Sequence, residues 1–249
     1  MIEVRSCLIT ENVLAYPPNV MRMTFEFPGE VKPGQFVNVR VSDNLDPVLR
    51  RPFSVHDSDG RTISILYMIV GRGTELMAEM TPGSTVSVAA PLGNGFPTEV
   101  RAKRAILISG GCGTAPMYLL SKKLNCPTEI MIGGRKKENL LCLNLFPEAK
   151  TTTEDGSWGE KGFVTKLLEE SLAAGSDAVV YSCGPNPMMK AVAEIAAKYG
   201  AECYVSLENK MACGIGVCMG CVQMMKDGKY ARVCKEGPVF DGEEIAWQG

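Results

Sequence analysis

The sequence of 249 residues contains one histidine, little net charge and no long apolar run. A single histidine excludes any chemistry that needs two imidazoles, and a net charge of −2 gives a nucleic-acid backbone no electrostatic attraction. No segment approaches the ~18 consecutive apolar residues of a membrane helix. The first residues lack the basic and then apolar order of a signal peptide. We therefore expect a cytoplasmic protein that binds neither nucleic acid nor a membrane.

Cysteine, in contrast, is frequent, and four of the ten cysteines lie near the C-terminus. These four are Cys213, Cys218, Cys221 and, after twelve intervening residues, Cys234. The spacing C-x4-C-x2-C followed by a more distant cysteine is typical of a plant-type [2Fe–2S] site. Structural zinc sites also use four cysteines, but usually as two close pairs, so zinc is the alternative. Disulfides would require an oxidising compartment, which nothing in the sequence indicates.

The residues between these cysteines fit a loop that wraps around a cluster. Gly214, Gly216 and Gly220 permit positive φ angles, which let backbone amides turn toward the sulfur atoms. The short apolar segments on either side of Asp227-Gly228 predict a hairpin with a tight turn. We expect this hairpin to bring Cys234 back to the other three cysteines.

The first part of the chain has the pattern of a small antiparallel barrel. Segments rich in Val, Ile, Thr and Phe alternate with Pro-Gly turns, which predicts strands near residues 4–15, 21–27, 35–41, 61–69 and 85–90. One short helix is predicted at 74–80, with Thr74 as its N-cap. From about residue 101, short apolar runs alternate with helical segments, which predicts a parallel sheet of the nucleotide-binding type.

Two motifs in the first part and three turns in the second have the composition of cofactor sites. Arg51-Pro52-Phe53-Ser54 begins a predicted strand, and Gly71-Arg72-Gly73-Thr74 leads into the short helix. Together they would hold a flavin, with the arginine at the pyrophosphate and the Phe53 and Ser54 side chains along the ring. Glycine-rich turns at 109–116, 133–135 and 183–188 follow predicted strands, where open α/β sheets bind nucleotides.

These motifs resemble those of the ferredoxin–NADP reductase superfamily. Within it, the segment Met211-Ala212-Cys213-Gly214 through Cys221-Val222 resembles the electron-transfer subunits of NAD-dependent (type B) dihydroorotate dehydrogenases. The resemblance implies a multidomain β plus α/β fold. Its expected parts are an antiparallel FAD-binding β-barrel at 1–98, a parallel-sheet NAD-binding domain at 99–206 and a small [2Fe–2S] module at 207–249.

The same resemblance implies the cofactor contacts. FAD is expected at Arg51, Pro52, Phe53, Ser54, Leu66, Tyr67, Met68, Gly73 and Thr74. NAD(H) is expected at Gly110, Gly111, Gly113, Cys183, Gly184 and Pro185, and the cluster at Cys213, Cys218, Cys221 and Cys234. The family usually has tyrosine at the position of Phe53 and glycine at the position of Ser109.

The implied function is electron transfer between a partner subunit and NAD. The partner would be the FMN-containing catalytic subunit that oxidises dihydroorotate in pyrimidine biosynthesis, in a heterotetramer with two copies of each chain. No catalytic residue for dihydroorotate is expected in this chain. Related reductase subunits that serve a hydrogenase, a sulfite reductase or a ferredoxin are the alternative, and a zinc-stabilised adaptor is an alternative of another class. Arg135, Lys136 and Lys137 could bind the 2′-phosphate of NADP, whereas the resemblance implies NAD.

Overall fold

The computed structural model describes residues 2–247, which begin with a closed antiparallel barrel of six strands. The strands are β1 (Glu3–Tyr16), β2 (Val20–Glu26), β3 (Phe36–Val39), β4 (Arg51–Ser58), β5 (Thr62–Met68) and β6 (Thr85–Leu92). Their order around the barrel is β1-β2-β5-β4-β3-β6. Apolar side chains such as Ile9, Phe25 and Ile65 fill the interior and are fully buried. The predicted barrel is confirmed.

The short helix α1 (Arg72–Ala78) begins two residues before the predicted start. Thr74 is therefore inside the helix, and its N-cap assignment was wrong. Its hydroxyl donates to the carbonyl of Gly71 over 2.8 Å and accepts a hydrogen bond from the amide of Val70 over 2.9 Å. Gly71 occupies the N-cap position, and the threonine closes the turn from within the first helical turn.

A seven-stranded sheet flanked by helices follows the barrel. Its strands are β7 (Arg104–Gly110), β8 (Thr128–Gly134), β9 (Lys150–Thr153), β10 (Glu160–Lys161), β11 (Ala178–Cys183), β12 (Glu202–Ser206) and β15 (Val239–Asp241). Its helices are α2 (Ala115–Lys123), α3 (Thr165–Ala174) and α4 (Asn186–Tyr199). The strand order is β10-β9-β8-β7-β11-β12-β15, and only β15 is antiparallel to its neighbour.

Burial on both faces of this sheet explains its continuous apolar strands. In β7, Ile106 and Ile108 pack toward α3 and α4, whereas Leu107 packs with α2 on the opposite face. Successive side chains of a strand point to opposite faces, so a strand covered on both sides is apolar throughout. Gly200 ends α4 with a φ of 69°, the left-handed geometry expected of a glycine at that position. Within residues 2–247, no helix has the length and apolarity needed to cross a membrane.

One buried side chain joins the barrel to the sheet domain. His56, on β4, donates from Nδ1 to the carbonyl oxygen of Ala115 over 2.7 Å, and its ring stacks on Tyr118 at 5.2 Å between centroids. The accepting carbonyl belongs to the first residue of α2. Burial lowers the pKa of His56, and it outweighs the Ala115 carbonyl, which favours the protonated ring.

The C-terminal segment contacts both preceding parts. The predicted hairpin is present as β13 (Val222–Met224) and β14 (Tyr230–Arg232), with Gly228 at a φ of 82° in its turn. The strand β15 then pairs with β12. The amide of Asn94, in the loop after β6, donates to the carbonyl of Gly237 over 2.6 Å. The segment is therefore attached to the sheet and to the barrel at once.

Candidate functional site

Four cysteine side chains come together beside the C-terminal hairpin. Cys221 and Cys234 are buried, Cys213 is half-buried and Cys218 is exposed. The hairpin returns Cys234 to the loop, as predicted, because β13 begins directly after Cys221 and β14 ends two residues before Cys234. One thiol at the surface and two in the interior give the site an open side and a closed side.

Backbone amides of the loop point at the sulfur atoms. The amide of Gly216 lies 3.1 Å from Sγ of Cys234, and the amide of Val217 lies 3.3 Å from Sγ of Cys213. Gly214 and Gly216 have φ angles of 69° and 82°, the left-handed values for which glycine is favoured. Gly220 does not adopt such an angle; the exposed Met219 does, with a φ of 57°.

The cysteines are arranged as two pairs. The amide of Cys218 donates to Sγ of Cys213 over 3.4 Å, and the amide of Cys234 donates to Sγ of Cys221 over 3.4 Å. Desolvation acts to raise the pKa of Cys213, but amide hydrogen bonds, first among them that of Ile215, outweigh it and lower the pKa to about 6. Burial and the neighbouring Cys221 raise the pKa of Cys234 to about 12.

This donor set fits a two-iron cluster, in which each iron takes two thiolates. The inward amides fit as well, because they hydrogen-bond to anionic sulfur. All ten cysteines are free within the described chain, so no disulfide competes for these thiols. In the same residues, no three side chains of His, Cys, Asp or Glu converge on a single-ion site.

A cleft of about 570 Å³ opens between the barrel and the rest of the chain. All nine residues predicted to contact FAD line it: Arg51, Pro52, Phe53, Ser54, Leu66, Tyr67, Met68, Gly73 and Thr74. Adjacent barrel strands supply most of them, since β4 carries the Arg-Pro-Phe-Ser motif and β5 carries residues 66–68. The helix α1 supplies the remaining two.

Arg51 crosses the start of α1 at Gly73. A Cβ atom at Gly73 would lie 2.8 Å from Nε of Arg51, so only glycine leaves room for the guanidinium. The ring of Phe53 lies 5.7 Å from that of Tyr67, whose hydroxyl donates to Asn12 over 2.9 Å. The cleft therefore has a cation near α1 and an apolar aromatic floor, which suits a flavin with its diphosphate.

The opposite wall of the cleft was not predicted. It contains Cys112 and Ala115 from the first turn of the sheet domain, residues 207–211, and Pro238. Glu208 lies in this wall, and its side chain is accessible to solvent. The surrounding protein partly desolvates the carboxyl group, which raises the pKa of Glu208. The position of Glu208, two residues after the end of β12, was the available signal, because ligands bind at the carboxyl ends of parallel strands.

A second cavity, of about 630 Å³, lies at the carboxyl ends of the central strands. Gly110, Gly111 and Pro185, three of the six residues expected to contact NAD(H), line it. Gly113, Cys183 and Gly184 lie behind the lining: a Cβ atom at Gly113 would be only 2.3 Å from the carbonyl oxygen of Cys183. These three residues therefore brace the turns that form the cavity wall.

Ser109 takes part in the same bracing. Its buried hydroxyl lies 3.0 Å from that of Thr114, which ties the two ends of the glycine-rich turn together. Sequence reasoning missed much of the remaining lining: Asn139, Thr152, Glu154, Phe163, Val164 and Thr165. The Thr152 hydroxyl is buried and has no hydrogen-bond partner among the described residues.

Comparison with known proteins identifies two families along the chain. Residues 107–194 match the oxidoreductase NAD-binding domain, and residues 208–246 match the iron–sulfur cluster binding domain of dihydroorotate dehydrogenase B. The electron transfer subunit of dihydroorotate dehydrogenase B (NAD(+)) from Caldanaerobacter subterraneus subsp. tengcongensis is 41% identical, over 91% of this chain and 92% of that protein. The chain belongs to this family. The Fusobacterium nucleatum member is 38% identical over 98% of this chain and 99% of its own length.

Solved structures agree with the fold of this electron-transfer family. An NADH-dependent reduced ferredoxin-NADP oxidoreductase, studied for flavin-based electron bifurcation, superposes with a TM-score of 0.83 at 28% identity, covering 97% of this chain and 90% of its own. A ferredoxin NADP+ reductase from Neisseria gonorrhoeae with bound FAD and NADP gives a TM-score of 0.61 at 16% identity, covering 84% and 94%. The predicted family and fold class are confirmed. The chain is an oxidoreductase subunit with an iron–sulfur segment and a NAD-binding segment on a ferredoxin–NADP reductase-like fold.

Proposed function

We propose that this chain passes electrons between the FMN of a dihydroorotate-oxidising partner subunit and NAD, through a [2Fe–2S] cluster and FAD. One observation carries the proposal. The 570 Å³ cleft is bounded by Cys112 from the nucleotide-binding turn and by residues 207–211, which end two residues before Cys213. A flavin in this cleft would therefore border both other sites. When bound, FAD supplies the conversion between two-electron hydride chemistry and one-electron transfer.

The barrel residues that line the cleft would bind and orient this FAD. We assign the pyrophosphate to Arg51, because its guanidinium lies against the start of α1. It can lie there because Gly73 has no side chain. Phe53 supplies an aromatic face, and Ser54 supplies a hydroxyl on the same strand. The remaining proposed contacts are Pro52, Leu66, Tyr67, Met68 and Thr74.

The four paired cysteines would hold the cluster, and the loop amides would stabilise its negative charge. On the nucleotide side, Gly110, Gly111 and Pro185 would contact NAD(H). Gly113, Cys183 and Gly184, assigned to the same site, would act by fixing the shape of the turns. We propose domain boundaries of 1–98, 99–206 and 207–249, although β15 lies in the second domain's sheet.

The partner would approach the open side of the cluster. Next to the exposed Cys218, the side chains of Ile215, Val217 and Met219 are exposed, with Val217 at 74%. Apolar side chains that would otherwise face water fit contact with another chain. We propose an FMN-containing catalytic subunit there, in a heterotetramer with two copies of each chain, and a cytoplasmic location. The partner would supply the residues that act on dihydroorotate.

The decisive experiment measures iron, sulfide and FAD in the purified chain together with Cys218→Ser. The variant should lose the cluster and electron transfer to the partner, whereas NADH should still bleach the flavin. Cys126→Ser is the matched control, since that cysteine lies outside the four-thiol site. Intact partner reduction in Cys218→Ser, or a colourless protein that contains zinc, would contradict the proposal.

A related reductase that exchanges electrons with another carrier is the second candidate. The similarity to the NADH-dependent reduced ferredoxin-NADP oxidoreductase over 97% of this chain favours it. Co-purification separates the two: an FMN-containing dihydroorotate-oxidising subunit supports our proposal, and a ferredoxin, hydrogenase or sulfite reductase subunit supports the alternative.

A further inference from the structure

Two oppositely charged side chains line the 630 Å³ cavity at the ends of neighbouring strands. Arg135 follows β8, and Glu154 follows β9. Two backbone hydrogen bonds connect these strand ends: the amide of Glu154 donates to Gly134 over 3.0 Å, and the amide of Asp155 donates to Arg135 over 3.2 Å. The backbone segments that carry Arg135 and Glu154 are therefore held side by side at one side of the cavity.

The basic triplet at 135–137 does not act as a unit. Lys136 is paired with Glu138 at 3.7 Å, and Nζ of Lys137 lies 4.2 Å from the ring centroid of Trp158. Only Arg135 of the three lines the cavity. Among the described residues, neither Arg135 nor Glu154 forms an ion pair within 4.0 Å. A ligand in this cavity would thus meet one cation and one carboxylate.

A buried hydroxyl indicates that a polar ligand belongs beside Glu154. Thr152 is two residues earlier, so its side chain lies on the same face of β9 and also lines the cavity. It is 1% exposed, and its Oγ1 has no partner among the described residues. Buried hydroxyls are nearly always hydrogen-bonded in folded proteins. A ligand hydroxyl or phosphate oxygen would satisfy this one.

We propose that Glu154 selects the unphosphorylated adenosine ribose, so that the cavity accepts NAD(H) and discriminates against NADP(H). The inference rests on the proposed function, because it assumes that this cavity is the NAD(H) site. A carboxylate accepts hydrogen bonds from the 2′ and 3′ hydroxyls of a ribose. A 2′-phosphate would place two negative charges against it, which the single guanidinium of Arg135 does not offset.

The test is calorimetric binding of ADP-ribose and 2′-phospho-ADP-ribose to the purified FAD-containing protein. Neither probe carries nicotinamide, so the readout is independent of electron transfer. Wild type should prefer ADP-ribose. Glu154→Gln should shift the ratio of the two dissociation constants toward the phosphorylated probe by about tenfold or more, because one charge is removed next to the phosphate.

Asp155→Asn is the matched control. It removes the same charge one residue later, at a side chain that bonds to the Ser157 amide over 2.9 Å and does not line the cavity. In this variant the ratio of the dissociation constants for the two probes should remain within about twofold of the wild-type ratio. Glu154 is exposed, and its carboxylate makes no hydrogen bond to a described residue, so the Gln variant should fold with an unchanged denaturation midpoint.

Three outcomes are informative. The expected shift in Glu154→Gln alone supports the inference, and its loss in Arg135→Gln/Glu154→Gln would identify the cation that accepts the phosphate. An unchanged ratio in Glu154→Gln, or a wild-type preference for the phosphorylated probe, overturns the inference and leaves the electron-transfer function intact. Failure of wild type to bind NAD+ or either probe would instead overturn the NAD(H) assignment itself.

Discussion

Replacing Gly73 by valine should weaken FAD binding by displacing Arg51. An added Cβ at this glycine would lie 2.8 Å from Nε, 3.0 Å from Nη2 and 3.1 Å from Cζ of the arginine. All three distances are too short for ordinary contact, and the two further methyl groups of valine enlarge the obstruction. The guanidinium is the flexible partner, so it should move away from the cleft.

The expected loss follows from the interaction that is removed. A hydrogen bond to a charged group contributes ~1.5–3 kcal/mol, which corresponds to a dissociation constant about 10- to 150-fold higher. Flavin fluorescence during titration of the FAD-free protein measures this constant. Gly175→Ala is the control, since its φ of 178° is extended, no atom lies within 4 Å of its would-be Cβ, and it does not line the cleft.

A double-mutant cycle tests the cause. Arg51→Gln should weaken FAD binding by a similar factor, and adding Gly73→Val to it should cause little further loss, because both changes remove the same contact. Wild-type affinity in Gly73→Val would refute the reasoning. Fully additive losses would show that the glycine acts independently of the arginine.

Three further results are expected. Gly113→Ala should lower the free energy of unfolding in urea by ~1–3 kcal/mol, because the backbone of Cys183 blocks the new methyl group. Gly175→Ala should leave it unchanged, since no atom lies within 4 Å of its would-be Cβ. Equal urea midpoints for the two variants would contradict this. Burial lowers the pKa of His56 below its ordinary 6.5, so the folded chain binds fewer protons and its urea midpoint should fall as the pH drops below 6.5. This loss should be smaller in His56→Gln, where the chain has no histidine. Val217→Ser should weaken partner binding without altering NADH reduction of the flavin; unchanged partner affinity would exclude this surface.

The sequence predicted those parts of the fold that have strong local signals. Segments rich in Val, Ile, Thr and Phe between Pro-Gly turns identified the barrel, and cysteine spacing identified the four thiols that the hairpin brings together. The strands β9, β10 and β15 were missed because they are two to four residues long and carry no extended apolar run. The sheet, rather than local propensity, determines their conformation.

The same limit applies to the sites. The Arg-Pro-Phe-Ser motif identified one wall of the flavin cleft because its four residues are adjacent in the chain. The other wall includes Cys112 and Glu208, which are 96 positions apart and meet only because parallel strands end at one edge of the sheet. Glu154 escaped notice for a similar reason, since acidic residues after a short polar strand have no distinguishing local pattern.

The antiparallel pairing of β15 with β12 has a consequence for how this polypeptide can be divided. If the chain were cut after Ser206, the backbone amides and carbonyls of β12 that now bond to β15 would face solvent, and exposed strand edges promote aggregation. The C-terminal iron–sulfur segment is therefore not an independent module that could be deleted, or fused to another protein through a flexible linker. The segment is attached to the sheet by β15 and to the loop after the barrel by the Asn94–Gly237 hydrogen bond. These attachments would keep the distance between the redox centres constant, so electron transfer would not require movement of a mobile domain.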